Sequence, residues 1–195
     1  MRKRDFYKKN KNLIIISLIF VIFTIVGSFI NKFINFDMVD ISAQIDKLSN
    51  YYSSDININS IIFENIKEYI RYLGLIGIFS LFFFTFPLAI GIFIFKAISI
   101  GYTINTCILL LGFKSIKLCI IIFMKNIILI PVSIILIIMS IEYIKNIFKV
   151  LKNKKQDSIL FLGKRYLLNL LIVIVISVLV QSLLNIISIS IFKFL

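Results

Sequence analysis

Hydrophobic positions in this chain run in long blocks rather than in the narrow stripes of a soluble helix. Residues 13–30 carry no charge, and four further blocks follow over 73–95, 97–113, 118–141 and 166–192. The inner three are broken chiefly by Pro87, Lys96, Gly101, the Lys125-Asn126 pair and Pro131. A helix needs roughly 17–25 apolar residues to cross a bilayer. The pattern predicts an all-α, polytopic membrane bundle of five transmembrane helices, its inner helices kinked or broken.

The polar stretch 31–72 differs in kind. It predicts an extracytoplasmic helical segment: Asp40 caps a short helix whose Ile41, Ile45 and Leu48 share a face, residues 50–55 turn, and a second helix starts near 57–60. That second helix is amphipathic through Ile62, Ile66, Tyr69 and Ile70 and leads into Arg71-Tyr72-Leu73-Gly74. Its apolar face lies on the membrane surface or a partner, or packs on its own bundle. Gly74 and Gly77, one turn apart, permit close helix approach.

The interruptions carry the local expectations. Pro87 inside a helix removes a backbone hydrogen bond and kinks it. Lys96 stands alone between the second and third blocks, so a turn centred there extends toward Gly101 and its ammonium reaches the headgroups. Lys125 has two readings. In a continuous helix it is a polar site facing the bundle interior, because a charge near mid-bilayer costs at least ~2.5–3.5 kcal/mol. Alternatively 118–125 is a short re-entrant or interfacial piece, and the span begins at Asn126.

Composition fixes the solvent. Of 195 residues 60% are hydrophobic and 16% charged, and mean hydropathy is +1.04. A water-soluble domain of this size cannot hide that much apolar surface, so the chain is one membrane domain. The net charge of +13 sits beside the spans and lacks interleaved aromatics, which disfavours nucleic acid and favours topology signals and lipid headgroups. Arg2, Lys3, Arg4, Lys8, Lys9 and Lys11 crowd the N-terminal tail; Lys145, Lys149, Lys152, Lys154, Lys155, Lys164 and Arg165 crowd residues 142–165. Both belong in the cytoplasm, the acidic 31–71 segment outside, and the C-terminus outside. Residues 13–30 are too long for a typical signal-peptide core, and Phe29-Ile30-Asn31-Lys32 is a poor cleavage site, so they form an uncleaved first span.

Candidate chemistry is sparse. The chain has no histidine, and no G-x-S-x-G, C-x-x-C or Walker A motif. No pair of carboxylates falls inside a block, and the acids of the polar segment read as a solvated loop. No enzyme activity, cofactor or metal is expected. Cys107 and Cys119 lie in apolar surroundings and read as packing residues. With internal repeats and intramembrane acids missing, a secondary transporter is disfavoured and a binding or scaffold role remains.

The ordered set Tyr72-Leu73-Gly74, Pro87, Lys96, Gly101, Asn126-Ile127-Ile128-Leu129-Ile130-Pro131 and Leu162-Gly163-Lys164-Arg165-Tyr166 resembles the stage II sporulation protein M family of endospore-forming bacteria over nearly the whole chain. Ala97 stands where that pattern favours glycine, and Lys125 where it favours a polar neutral residue. The resemblance implies a mother-cell membrane protein of the sporulation septum. It would scaffold two cell-wall hydrolases, stage II sporulation proteins D and P, for septal peptidoglycan thinning during engulfment. Arg71, Tyr72, Gly74, Pro87, Lys96, Gly101, Lys125, Asn126, Pro131, Gly163, Arg165 and Tyr166 are the structural or interaction candidates. The alternative, a permease or channel subunit for a small or lipid-linked solute, rests on the broken helices and on Lys96 and Lys125.

Overall fold

The computed structural model describes residues 3–33, 58–112, 115–152 and 157–194. The proposed short helix over 40–48 and the turn over 50–55 lie outside them. The described residues form six helices and no strand: α1 (Lys3–Phe33), α2 (Ile58–Phe79), α3 (Phe86–Leu111), α4 (Ser115–Asn126), α5 (Leu129–Lys152) and α6 (Asp157–Phe194). Four stretches are long and apolar enough to cross a membrane: Lys11–Ile30, Phe86–Leu109, Ile122–Lys152 and Ile159–Leu184. The protein is therefore an all-α membrane bundle with four such spans among the described residues, where the hydrophobic blocks suggested five.

The difference arises from where the inner helices break. The block over 73–95 is not one helix. α2 runs through Arg71-Tyr72-Leu73-Gly74 to Phe79, residues 80–85 turn, and α3 begins at Phe86. The Thr85 hydroxyl closes the turn by donating to the carbonyl of Phe79 at 2.7 Å. Pro87 thus occupies the first turn of α3, where an N–H would have no helical partner and proline's fixed φ suits the helix. It starts a helix rather than kinking one. Lys96 correspondingly lies well inside α3 and not in a turn. The second break is at Ile127-Ile128, with Pro131 in the first turn of α5 for the same reason.

Contacts between helices set their directions. Phe20 packs on Phe93 with ring centroids 5.3 Å apart, and Asn105 Nδ2 donates to the carbonyl of Ser28 at 2.7 Å, so α1 and α3 are parallel. Lys96 meets Glu68 across the turn, so α2 and α3 are antiparallel. α5 follows α2: Ser133 lies beside Tyr72, and Phe148 packs edge-on against Phe83 at 4.8 Å. α6 returns past Ser140 (Tyr166), Gly77 (Leu170) and Met124 (Gln181). Hence α1, α3 and α6 run one way, and α2 and α5 the other. The start of α1, the 80–85 turn, the end of α5 and the start of α6 share one end of the bundle.

The core is close-packed around Leu73, Ile76, Ala89, Phe93, Ala97 and Leu136, all fully or almost fully buried. Its tightest part is the α1–α3 seam. A Cβ on Gly27 would collide with the backbone of Ile98, and one on Gly101 with the carbonyl of Thr24. In lipid no hydrophobic effect drives helices together, so small residues that let backbones approach supply dispersion contact instead. Cys107 and Cys119 are both free thiols.

Candidate functional site

One carboxylate gathers the two lysines that interrupt the apolar blocks. Glu68 Oε1 is 3.3 Å from Lys96 Nζ, and Oε2 is 2.7 Å from Lys125 Nζ. Three elements build the cluster. The turn at 80–85 folds α2 onto α3, and Glu68 and Lys96 stand about equally far from it. α4 ends at Asn126, so Lys125 sits in its last turn, where the helix dipole favours a cation. The ammonium of Lys96 also lies 5.6 Å from the centroid of the Tyr72 ring, a cation–π contact.

The α4–α5 break closes the far wall. Asn126 Nδ2 donates to the carbonyl of Ile122 at 2.7 Å, and Gln181 Nε2 to that of Met124 at 3.4 Å. The Gln181 amide satisfies a carbonyl in the last turn of α4 that no later helical N–H reaches. Glu68, Lys96, Lys125, Asn65, Tyr69, Tyr72, Asn126, Leu129 and Gln181 line the resulting cleft, which leaves about 20 Å³ for the centre of a water-sized group. The side chains of Lys96, Lys125 and Glu68 are 23%, 36% and 51% exposed, so the cluster is sealed on the bundle side and open outward. The buried Tyr69 and Tyr72 hydroxyls lie beside Ser177 and Ser133.

A second, wider cleft of about 220 Å³ lies at the other end of α5 and α6, lined by Glu142, Tyr143, Asn146, Arg165, Tyr166 and Asn169 among others. Tyr166 is buried there, stacked on Tyr143 at 4.4 Å and hydrogen-bonded to Ser140 Oγ at 2.9 Å. A Cβ added at Gly163 would meet the Tyr143 hydroxyl at an ordinary van der Waals distance.

Of the residues singled out in the sequence, Tyr72, Lys96, Lys125 and Asn126 thus meet in one cleft, and Arg165 and Tyr166 in another with Gly163 beside it. Gly101 belongs to the α1–α3 seam, and Pro87 and Pro131 open helices. Arg71 is exposed and Gly74 has open space around it. α4 ends one residue after Lys125, and the Lys125 charge is paired with Glu68. The sequence reading missed Glu68 and Gln181. Two isolated lysines in apolar blocks demand a countercharge, and Glu68, next to the buried Tyr69, was the signal. No family model, curated protein or solved structure matches the chain.

Proposed function

We propose that this chain is a non-enzymatic membrane scaffold of the sporulation engulfment machinery, holding cell-wall hydrolases beside one another at the septum. The observation that carries the reading is the apolar flank left by the first and last helices. Leu18, Val21 and Ile25 on α1, and Leu168, Leu171, Val175 and Leu179 on α6, are exposed. Such ridges accept a single-span partner helix by van der Waals fit. Anchoring two hydrolases on one bundle raises the effective concentration of each at the other's product. The ordered resemblance set points to stage II sporulation proteins D and P as the partners.

Orientation follows from the helix directions and the charge. The start of α1, the end of α5 and the start of α6, which carry basic residues, lie toward one end of the bundle, which we assign to the cytoplasm. On this reading α2 returns through the bilayer between the parallel α1 and α3, and the C-terminus is extracytoplasmic, on the hydrolases' side of the membrane. Tagged protein drawn from sporulating cells in mild detergent should bring down both hydrolases. Recovery of neither, from protein folded and present at the septum, overturns the scaffold.

A second reading, a permease or channel subunit, is favoured by the break at Ile127-Ile128 beside three charged side chains, because interrupted membrane helices and intramembrane charges mark pathways. Solute flux in liposomes that disappears in Lys125→Leu would select it.

A further inference from the structure

The cleft between the end of α5 and the start of α6 holds two opposite charges that do not meet. Glu142 and Arg165 both line it, yet among the described residues no ion pair joins them. Asn146 and Asn169 add one amide from each helix, and all four residues are exposed. Glu142 and Arg165 fall inside the long apolar stretches Ile122–Lys152 and Ile159–Leu184, near the end of each, which is headgroup depth. The cleft then continues into an apolar track. On α6 the positions that follow Arg165 and Asn169 along the same flank are Ile172 and Ile176; on α5 those that precede Asn146 and Glu142 are Met139 and Ile135. Ile135, Ile172 and Ile176 are exposed, and Met139 is half-buried. Because α5 and α6 are antiparallel, both flanks change from polar to apolar in the same direction, away from their shared end.

A groove that is polar at the bilayer edge and apolar toward its centre has the layout of a phospholipid. The two charges sort the headgroups. A purely anionic headgroup would set its charge against the Glu142 carboxylate. A quaternary ammonium has no N–H to donate to that carboxylate. A phosphate followed by a primary ammonium satisfies both residues. We propose that this cleft binds a phospholipid of the ethanolamine class. Arg165 donates to the phosphate, the headgroup ammonium donates to the Glu142 carboxylate, and an acyl chain lies along Ile135, Ile172 and Ile176. The cleft volume of about 220 Å³ admits such a headgroup. The exposed Lys145, Lys149 and Lys164 draw anionic lipid to this end without distinguishing one headgroup from another. Selection rests on where Glu142 and Arg165 stand and not on the net charge around them. The site goes beyond the scaffold reading and does not depend on it.

The test is native mass spectrometry of purified full-length protein in detergent. It is titrated with phosphatidylethanolamine, phosphatidylcholine and phosphatidylglycerol of identical acyl chains. Wild type should bind the ethanolamine lipid about tenfold tighter than either of the others, the scale of one charge-assisted hydrogen bond. Glu142→Gln should shrink its preference over the choline lipid to about twofold or less, because the neutral amide no longer selects a donor cation. Arg165→Gln should weaken the ethanolamine and choline lipids alike, and Arg165→Lys should restore part of that loss. Equal wild-type affinity for the three lipids overturns the site, and that comparison needs no variant to fold. A wild-type preference for phosphatidylglycerol also overturns it, leaving only attraction to a basic surface. So does an ethanolamine preference that survives Glu142→Gln. Displacement of the lipid by an equal concentration of free phosphoethanolamine would make the occupant a water-soluble zwitterion and overturn the lipid assignment.

Discussion

Along α1 and α3 the helices meet backbone to backbone, at Gly27 against Ile98 and Gly101 against Thr24; around the cleft, α2 meets α3 and α4 through the ends of long charged side chains. The two regions hold helices together where water supplies no driving force. In the seam the force is dispersion, which vanishes within an ångström or two, so the geometry is rigid and tolerates no added atom. In the cleft it is Coulombic and longer-ranged, so the lysine stems can shift. Rigid body and adjustable site are thus assigned to different faces of the same helix: α3 carries both Gly101 and Lys96.

Substitutions should separate the two regions by size of effect. Gly101→Val places branched carbons into the Thr24 carbonyl and should cost about 3 kcal/mol or more, or prevent accumulation, as read by thermal unfolding in detergent. Glu68→Gln should be milder, about 1–2 kcal/mol. A paired charge loses its partner there, yet the carboxylate is half exposed and partly screened. Combining Glu68→Leu with Lys96→Met and Lys125→Met should recover most of that loss; a triple variant no more stable than Glu68→Gln would refute the charge-pairing account of the cleft. Tyr166→Phe, which removes the bond to Ser140, should cost about 0.6 kcal/mol. Gly74→Ala should lose nothing and gain up to ~1 kcal/mol, since its Cβ meets open space and the unfolded chain is restricted. Equal destabilisation by Gly74→Ala and Gly101→Val would erase the distinction between seam and surface.

The helical membrane character was legible because long apolar blocks have one physical outcome in lipid. The helix ends were less so. Leu81-Phe82-Phe83-Phe84 turns the chain without glycine, proline or a charge, because Thr85 satisfies the carbonyl of Phe79 with its own side chain. Pro87, the visible break, sits after the true one. That shift moved the expected turn to Lys96 and hid the pairing with Glu68, whose sequence neighbours look like a solvated outer helix. Lys125 and Asn126 were legible as a break because a charge and a proline flank it. Gly101 was visible as a small residue, but its partner Gly27 lay in a uniform apolar run where nothing marks the side facing α3. Gln181 was likewise invisible: a single amide in a long span gives no hint of which helix it will reach.

The proposed scaffold role is tested most directly by photocrosslinking in sporulating cells, with a photoreactive residue placed at Val21 or Val175 on the exposed ridges of α1 and α6. The expected result is a covalent adduct to the membrane helix of a cell-wall hydrolase from at least one ridge, and none from the buried Leu136. Adducts to lipid alone from both ridges, with the protein folded at the septum, would contradict the proposal that these faces carry partners.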